Sequence, residues 1–595
     1  MCGIAGVASC DRDIQIHEDA IIASLHNRGP DDHDVTRWSG AGAGGLLAHT
    51  RLAIVDLTTD GRQPVWSNDG RFAMVYNGEI YNHRSLRSLC ERRGHHFRSQ
   101  MDGEVIVHLW RDEGARCLDR LNGIFAVAVA DTETGELFLA RDPLGVKPIF
   151  YSATAESCWF GSEPATLAAL GAPSSGHDTV ALAQFLTFLW IPDPASPERG
   201  ISAVKPGHVV HWRAGDAIAE LAYCRPLFPA PVDRVVSAHT AHDTRERLRH
   251  ACERQLLGDV PVGLMASGGI DSSLLWWGGR EGLARAFTIE WPQGASDEQL
   301  DEDAAAVRVL EHGLGTPVDY LPGADAPAVT LPRSGDLFAD PAYELARFIS
   351  QQASRSGYKV LWCGQGADEL FGGYRRHRAM RLLSRSGWRA AARFGAAVSR
   401  GTRTGLRGEY AARFIRAAAA RDEFSRYLQL CTYSTAEDRA RVLDCETREV
   451  ADDVVWARHR DVFEQLPQDV SPYRRALALD LNVYLPGLGL AYMDRAGMEF
   501  GVEVRVPWLD LDLVRWSLSL PDRALSTDGG KGPPRNLARE VLPPTISSRA
   551  KRGFAAPTSQ LRQTSAAGEL GFRQGTYFAR AAGMVRELLG TEKRG

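Results

Sequence analysis

The sequence lacks long apolar runs, paired cysteines and the spacings of a zinc site. No uninterrupted apolar run approaches the roughly 18 residues of a membrane-spanning helix, and the N-terminus has no charged segment followed by an apolar stretch. The 10 cysteines include no CxxC pair, and no HExxH occurs. We therefore expect no membrane anchor, no signal peptide, and reduced thiols in a cytoplasmic protein.

An excess of one charge is also missing. The chain carries 69 basic and 74 acidic residues, with a net charge of −5. This balance excludes the strongly basic footprint of a nucleic-acid-binding protein and a polybasic membrane surface, so we expect small-molecule substrates. Hydrophobic residues make up 44% and charged residues 24%, which is typical of globular proteins. A chain of 595 residues is too long to fold around one hydrophobic core, which indicates two or more domains.

The first part of the chain, to about residue 215, contains short β-type runs separated by turn residues. The run Ile124–Ala130 predicts a buried strand, and Leu137–Ala140 predicts its hairpin partner. The run Ala73–Tyr76 predicts another strand, which we expect to end in a turn at Asn77-Gly78, because Asn-Gly is typical of tight turns.

Residues 225–231 contain three prolines, which disfavour regular structure. Beyond them the patterns alternate, with an amphipathic helix predicted at Thr244–Leu257 and strands at Val260–Ala266 and Lys359–Cys363. Such alternation predicts a parallel sheet with crossover helices. The predicted organisation is an N-terminal domain at 2–215, a linker at 216–240 and a C-terminal domain at 241–595.

Cys2 follows the initiator Met1, which is readily removed before a small side chain. Cys2 would then carry a thiol nucleophile and an α-amine whose unperturbed pKa of about 7.7–8.0 lets it act as a base near neutral pH. The position alone is weak evidence, since any residue can follow Met1.

Downstream residues supply what the hydrolysis of a carboxamide would need. Arg51 could bind a carboxylate bidentately, while Glu79 and Asp102 could receive an ammonium. The Asn77 amide and the Gly78 backbone N–H could face an oxyanion. Taken singly, each has a plainer explanation, because Asn-Gly is usually a turn and a lone arginine usually lies on the surface.

The segment Ser267–Ser273 reads SGGIDSS and follows the predicted strand at Val260–Ala266. Its glycines let backbone N–H groups wrap an anion, and the helix that it opens favours phosphate. Asp271 would repel bare phosphate, so it implies a bridging Mg²⁺. The chain contains no GxxxxGK[ST] loop. The plainer explanation is a Gly/Ser turn that caps a helix.

The N-terminal part resembles the class II glutamine amidotransferase domain, an N-terminal-nucleophile hydrolase. The resemblance rests on MCGIAGV, HNRGPDD, HTRLAIVDL, YNGEIYNH, MDGEV and ARDPLGVKPIFY, in the family's order. It implies an α+β fold with an αββα sandwich, Cys2 as the nucleophile, and Asn77 and Gly78 as the oxyanion hole. The glutamine contacts that it implies are Arg51, Ile54, Val55, Asn77, Gly78, Glu79 and Asp102. Met101 is a small departure from the pattern.

The rest of the chain, to about residue 560, resembles the asparagine synthetase branch of the ATP pyrophosphatase family. The matching segments are SGGIDSS, CGQGADELFGGY (363–374), MDR (493–495), VEVRVPWLD (502–510) and RAKRGF (549–554). The resemblance implies an α/β domain with a parallel sheet and helical additions. The ATP contacts that it implies are Met265, Ser267, Gly268, Gly269, Asp271, Ser272, Ile289, Cys363 and Gly364. It makes Asp271 and Asp368 the Mg²⁺ ligands. It also implies Gln365 and Lys551 as catalytic residues, and Lys551 would neutralise charge on the phosphates in the transition state.

Together the two resemblances imply that glutamine is hydrolysed at Cys2 and that its ammonia reaches an acyl-AMP through an internal passage. We expect aspartate as the acceptor, giving asparagine, AMP and pyrophosphate. The alternative is a tailoring amide synthetase that uses another carboxylate. It arises because Gln365 stands where several relatives have a glutamate, Tyr492 where many have a lysine, and Glu499-Phe500 replaces a common pair.

Three further classes of protein fit the sequence less well. Phosphoribosyl and glucosamine-phosphate amidotransferases lack SGGIDSS, and a ring-closing synthetase would not need the Cys2 set. A non-catalytic scaffold would not need both intact motifs.

Glu503, Arg505 and Asp510 fit a buried structural ion network as well as a catalytic role. A homodimer is compatible with the sequence, which does not fix the oligomeric state.

Overall fold

The computed structural model describes residues 2–11, 16–224, 226–229, 241–291, 301–326, 331–385, 387, 406–443, 450–550 and 573–592. Residues 230–240 of the predicted linker, and Lys551, lie outside these ranges.

The N-terminal half is built on two antiparallel sheets. Its strands are β1 (Gly3–Ser9), β2 (Asp32–Ser39), β3 (Gly44–Arg51), β4 (Val65–Trp66), β5 (Phe72–Ile80), β6 (Gly123–Asp131), β7 (Glu136–Arg141), β8 (Phe150–Ala153), β9 (Ser157–Gly161), β10 (Ser202–Ala203), β11 (His208–Trp212) and β12 (Ala219–Ala222). The sheet orders are β10-β8-β9-β1-β3-β2 and β12-β11-β7-β6-β5-β4. The second sheet therefore extends to residue 222.

The two sheets pack face to face through alternate residues of their central strands, including Ile4, Leu47, Val75 and Ala128. The helices of this half are α1 (Glu18–Leu25), α2 (His83–Arg92), α3 (Glu104–Glu113), α4 (Pro164–Ala169) and α5 (Thr179–Phe188). Helices α2 and α3 cover the outer face of the second sheet, and α1 covers that of the first. This arrangement confirms the predicted αββα sandwich.

The predicted hairpin is confirmed by β6 and β7, which pair from Ala126↔Arg141 to Asp131↔Glu136. The predicted turn at Asn77-Gly78 is wrong. Strand β5 continues through both residues, because its whole length pairs with β6 and buries its side chains on both faces. Long-range pairing here overrides the local preference of the dipeptide.

The C-terminal half contains a parallel sheet of β13 (Val262–Met265), β14 (Leu283–Glu290), β15 (Val318–Pro322), β16 (Val360–Trp362) and β17 (Glu503–Arg505). The order is β15-β14-β13-β16-β17, and every neighbouring pair is parallel. This confirms the predicted α/β class and the predicted strands at 260–266 and 359–363.

Helices surround this sheet and extend beyond it. They are α6 (Ala241–Gln255), α7 (Ile270–Gly279), α8 (Asp301–Leu314), α9 (Ala342–Arg355), α10 (Ala367–Phe371), α11 (Arg375–Leu383), α12 (Leu406–Ala419), α13 (Glu423–Cys431), α14 (Ala436–Ala440), α15 (Asp452–Val455), α16 (Ala457–Gln465), α17 (Pro472–Leu479), α18 (Ala491–Met498), α19 (Leu511–Leu518), α20 (Asp522–Leu525), α21 (Gly532–Val541), α22 (Pro544–Ser547) and α23 (Arg573–Glu592). The predicted amphipathic helix is α6, which buries Leu248, Ala251 and Cys252.

Helices α17 and α18 join through a π-helix, Asp480–Leu490, into one apolar stretch. This stretch, Pro472–Met498, is the one helix of the described ranges that is long and apolar enough to cross a membrane, by length and composition alone. Within the molecule 83% of its apolar window is buried, as expected for a helix of the protein core. Trp190 of the N-terminal half packs against its Gly487.

The two halves share buried polar contacts as well as apolar ones. Arg28 Nη1 donates to Asp494 Oδ2 and to Glu163 Oε1, both at 3.0 Å, and Arg28 is 1% exposed. The Ala339 nitrogen donates to the Leu189 carbonyl at 3.0 Å. These contacts join the two halves through an interface that buries charged groups.

Candidate active sites

Cys2 lies at the start of β1 in a buried position. Its backbone nitrogen donates to Asn77 Oδ1 of β5 at 3.0 Å. Burial raises the pKa of the Cys2 thiol, so the thiol needs a nearby base to become a thiolate. After removal of Met1 the same nitrogen would be an α-amine, held by Asn77 next to the thiol.

The side-chain amide of Asn77 has a second feature suited to catalysis. Its Nδ2 is buried and has no hydrogen-bond partner among the residues that the structure describes. Leaving such a donor unpaired is costly, and an oxyanion formed at Cys2 would satisfy it. Gly78 follows at φ +155°, where a Cβ would lie 2.0 Å from the Ile124 carbonyl oxygen, so the close approach of β5 and β6 requires glycine.

Arg51, at the end of β3, organises the loop that follows it. Its Nη1 donates to the Thr58 carbonyl at 2.6 Å, and its Nη2 donates to the Asp56 carbonyl. The loop contains Ile54 and Val55 and reaches the C-terminal half, where the Asp259 nitrogen donates to the Ile54 carbonyl at 2.8 Å. The predicted glutamine contacts in this loop therefore lie at the interface between the halves.

The two predicted ammonium ligands are buried carboxylates. Asp102 Oδ2 accepts from Tyr76 Oη at 2.7 Å and from the Ile80 nitrogen at 2.6 Å. Burial raises the pKa of Asp102 and raises that of Glu79 well above its usual range. An arriving ammonium would stabilise both as carboxylates. Glu79 Oε1 lies 3.0 Å from Arg505 Nη2, a cation supplied by the other half.

The SGGIDSS loop connects β13 to α7, as the sequence predicts. Ser267 Oγ and Ser272 Oγ lie 3.0 Å apart, and Gly268 takes a left-handed φ of +64°. A Cβ on Gly268 would lie 2.7 Å from the Asp303 carbonyl oxygen. The loop thus presents hydroxyls and backbone N–H groups at the N-terminus of a ten-residue helix, which suits an anion such as a phosphate group.

One cavity brings together residues from this loop, from β14 and from the loop after β16. The predicted ATP, metal and catalytic residues that line it are Met265, Ser267, Gly269, Asp271, Ser272, Ile289, Cys363, Gly364, Gln365 and Asp368. Gly268 forms the adjoining turn and does not line the cavity. The predicted residues around Cys2 lie apart from this cavity.

Lys531 is a residue of this cavity that the sequence analysis missed. Its Nζ lies 2.5 Å from Asp271 Oδ2 and 2.6 Å from Asp368 Oδ1, and the residue is 3% exposed. Its position between Gly530 and Gly532 gave no signal of this role, because its partners Asp271 and Asp368 lie far away in the sequence.

Two carboxylates alone make an incomplete metal site. The described ranges contain no cluster of three or more His, Cys, Asp or Glu side chains that could hold a metal. Asp271 and Asp368 fit an ion such as Mg²⁺, which is commonly held by one or two carboxylates together with substrate phosphates and water.

Gln365 Nε2 lies 2.5 Å from Tyr492 Oη, in hydrogen-bond contact, and both residues line the cavity. Two positions at which the sequence departs from the expected family pattern are therefore in direct contact within the cavity. Glu499, another predicted departure from the family pattern, lies outside this cavity. Its carboxylate accepts from Arg347 Nε at 2.6 Å and does not line the cavity, so it does not shape that pocket directly.

Glu503, Arg505 and Asp510 form buried ion pairs outside the cavity. Arg505 contacts both Glu503 and Glu79, and its Nη1 donates to the Gln255 carbonyl at 2.8 Å. Arg254 Nη2 donates to Asp510 Oδ1 at 2.6 Å. This geometry favours a structural role for these charges over a catalytic one.

The αββα sandwich with Cys2 beside Asn77, joined to a parallel sheet with a phosphate-type loop, defines a two-domain glutamine-dependent amidotransferase. The sequence profile described as a glutamine amidotransferase domain matches residues 1–223, and the profile described as asparagine synthase matches residues 243–571. The chain belongs to the asparagine synthase family, in its glutamine-hydrolysing branch. It is a carbon–nitrogen ligase with glutamine as amide donor.

Relatives match nearly the whole chain. Asparagine synthetase [glutamine-hydrolyzing] 1 of Bacillus subtilis is 27% identical over 580 residues, covering 94% of this chain and 87% of that protein. A putative asparagine synthetase [glutamine-hydrolyzing] of Mycobacterium tuberculosis is 29% identical over 605 residues, covering 96% and 89%. A solved glutamine phosphoribosylpyrophosphate amidotransferase of B. subtilis matches 61% of this chain and 81% of that chain at 14% identity, with a TM-score of only 0.29.

Proposed function

We propose that the chain makes asparagine from aspartate, with glutamine as the nitrogen donor and ATP as the activating substrate. The proposal rests on one observation above all: residues from three separate segments line a single cavity with the SGGIDSS loop. The asparagine synthetases that resemble the chain over most of its length support aspartate as the acceptor.

In the first half-reaction, the Cys2 thiolate attacks the carboxamide carbon of glutamine after its proton passes to the α-amine. Asn77 Nδ2 and the Gly78 N–H donate to the oxyanion. The α-ammonium returns its proton to the amide nitrogen, and collapse of the adduct then expels ammonia and leaves a thioester. Water then attacks the thioester and releases glutamate. Arg51, Ile54, Val55, Glu79 and Asp102 hold the amino-acid portion of glutamine.

In the second half-reaction, the aspartate β-carboxylate attacks the α-phosphorus of ATP and pyrophosphate leaves. Ammonia attacks the resulting acyl carbon, loses a proton and expels AMP, so that an amide forms. Ser267, Gly268, Gly269 and Ser272 bind phosphate oxygens, and Met265, Ile289, Cys363 and Gly364 contact the adenosine. Mg²⁺ held by Asp271 and Asp368 would neutralise phosphate charge, as would Lys551.

Several further features belong to this proposal. Ammonia passes inside the molecule from Cys2 to the cavity, since in water it would be protonated and lost. The first domain extends through β12 to about residue 223, beyond the predicted boundary at 215, and the second begins near residue 241. Cys2, Cys90, Cys117, Cys158, Cys252 and Cys363 are buried free thiols, which supports a cytoplasmic location.

A pyrophosphate-release assay with glutamine and ATP, with and without aspartate, tests the acceptor. Aspartate should stimulate pyrophosphate release, and asparagine should appear in equal amount. Absence of both, with stimulation by another carboxylate in a panel of acceptors, would show instead a tailoring amide synthetase.

A further inference from the structure

Lys531 occupies a position that a divalent ion would also need. Its Nζ bridges Asp271 and Asp368 at 2.5 and 2.6 Å. Mg²⁺ binds carboxylate oxygens at about 2.0–2.1 Å, so an ion bound by the same two oxygens would overlap the ammonium and be repelled by it.

The backbone fixes Lys531 in this place. Its φ of +63° lies in the left-handed region, which is unfavourable for a residue with a Cβ, and its nitrogen donates to the Phe371 carbonyl at 2.8 Å. Such strain in a buried, charged residue at a site points to a functional demand on its position.

Packing leaves the ammonium little freedom. A Cβ on Gly373 would lie 1.7 Å from Asp368 Oδ1 and 2.4 Å from Lys531 Cε, so the backbone at Gly373 presses directly on the ion pair. A lysine held this closely between two carboxylates is displaced only when another partner receives its charge.

We propose that Lys531 competes with the divalent ion for Asp271 and Asp368, so that the ion enters only together with the nucleotide. The phosphate oxygens then receive the ammonium of Lys531, with Arg535 and Arg549 lining the same cavity. Lys531 is thus a positioning residue that enforces joint binding of metal and ATP, which prevents the carboxylates from holding an ion that lacks its phosphate ligands. The inference rests on the proposed metal role of Asp271 and Asp368.

The test measures Mn²⁺ binding to the full chain by electron paramagnetic resonance, with and without a non-hydrolysable ATP analogue. Without nucleotide, Lys531→Gln and Lys531→Met should bind Mn²⁺ at least about tenfold more tightly than the wild type, because the ammonium that occupies the ion's place and repels it is removed. Lys531→Arg should behave like the wild type. With the analogue, the wild type should bind Mn²⁺ at least about tenfold more tightly than without it.

Lys205→Gln is the matched control, since Lys205 pairs with Glu220 at 2.6 Å in the N-terminal half, and it should leave Mn²⁺ binding unchanged. If the wild type and Lys531→Gln bind Mn²⁺ with equal affinity without nucleotide, the inference is overturned, but the proposed metal site is not. Tight Mn²⁺ binding by the wild type without nucleotide overturns it whatever the variants do. No Mn²⁺ binding even with the analogue refutes both the metal site and the inference.

Discussion

At the scale of single residues, Asn77 combines two tasks that its neighbours in sequence do not reveal. Its Oδ1 accepts from the Cys2 nitrogen at 3.0 Å, while its Nδ2 stays available to an oxyanion. In the proposed mechanism, a single amide would orient the base and stabilise the charge that the attack creates. This arrangement depends on β5 continuing as a strand, which brings Asn77 opposite Cys2 across the sandwich.

Replacing Cys2 tests the nucleophile. In Cys2→Ala we expect glutamate release from glutamine to fall by at least about four orders of magnitude, since no other group can form the thioester. Amide synthesis from added ammonium should persist, because the cavity around Asp271 is unchanged. Glutaminase and ammonium-dependent pyrophosphate assays measure the two activities. Cys10→Ala, at an exposed cysteine, is the control, and surviving glutaminase in Cys2→Ala would refute the assignment.

Tyr492 is expected to act through Gln365. Tyr492→Phe removes the hydroxyl that lies 2.5 Å from Gln365 Nε2 and leaves the ring packed. We expect a loss of about 1 kcal/mol of acceptor binding, which is about a fivefold rise in KM for the acceptor with little change in KM for ATP. Steady-state pyrophosphate kinetics measure both. An equal rise in both constants would place Tyr492 outside the acceptor pocket.

At the scale of elements, motifs that are continuous in sequence were predictable and contacts between distant segments were not. SGGIDSS lies where its strand and helix patterns predict, because a glycine loop after a buried strand is determined locally. Lys531 contacts a residue 260 positions away, and no local pattern carries that information. The prediction of a turn at Asn77-Gly78 was wrong for the same reason, since pairing with the distant strand β6 determines the backbone conformation of these residues.

The loop between β13 and α7 should serve only the second half-reaction. Asp271→Asn removes a proposed metal ligand, so we expect ATP-dependent pyrophosphate release to fall by about a hundredfold or more, which is about 3 kcal/mol. Glutamine hydrolysis should remain, because Cys2 and Asn77 lie in the other half. Loss of both activities in a folded variant would argue against separable sites. Circular dichroism verifies the fold.

At the scale of the whole molecule, charges from the two halves neutralise each other inside the interface. Asp494 is 3% exposed and contacts Arg28, which lies 466 positions away, as well as Arg495. These arginines lower the pKa of Asp494 to about 2 against the opposing effect of burial. The interface is therefore stabilised by a carboxylate that stays ionised far into acid.

This pairing predicts a pH dependence. Because the folded pKa lies below the unfolded value, the contribution of Asp494 is present above about pH 4 and is lost as the pH falls through about 2. Asp494→Asn should lower the free energy of unfolding by roughly 3 kcal/mol at neutral pH, because it leaves buried arginine charge uncompensated. The difference in unfolding free energy between the wild type and the variant should become smaller in acid. Denaturation curves of both proteins between pH 7 and about pH 2 measure it.

Glu18→Gln is the control for this series. Glu18 pairs with Arg37 at 2.7 Å on the surface, where both side chains are more than a third exposed, so its loss should cost at most about 1 kcal/mol. A gap for Asp494→Asn that stays constant from neutral pH into acid would contradict the assigned ionisation.

The Arg28, Glu163 and Asp494 contact has a consequence for how such enzymes can be recombined. A glutaminase domain transplanted onto a foreign synthetase would bring a buried guanidinium without its distant carboxylate, and the recipient would have an orphaned anion of its own. Exchange of these domains, in evolution or in engineering, therefore requires that the charged interface residues be exchanged together. A chimera that keeps only the catalytic motifs should assemble poorly even when each active site is intact.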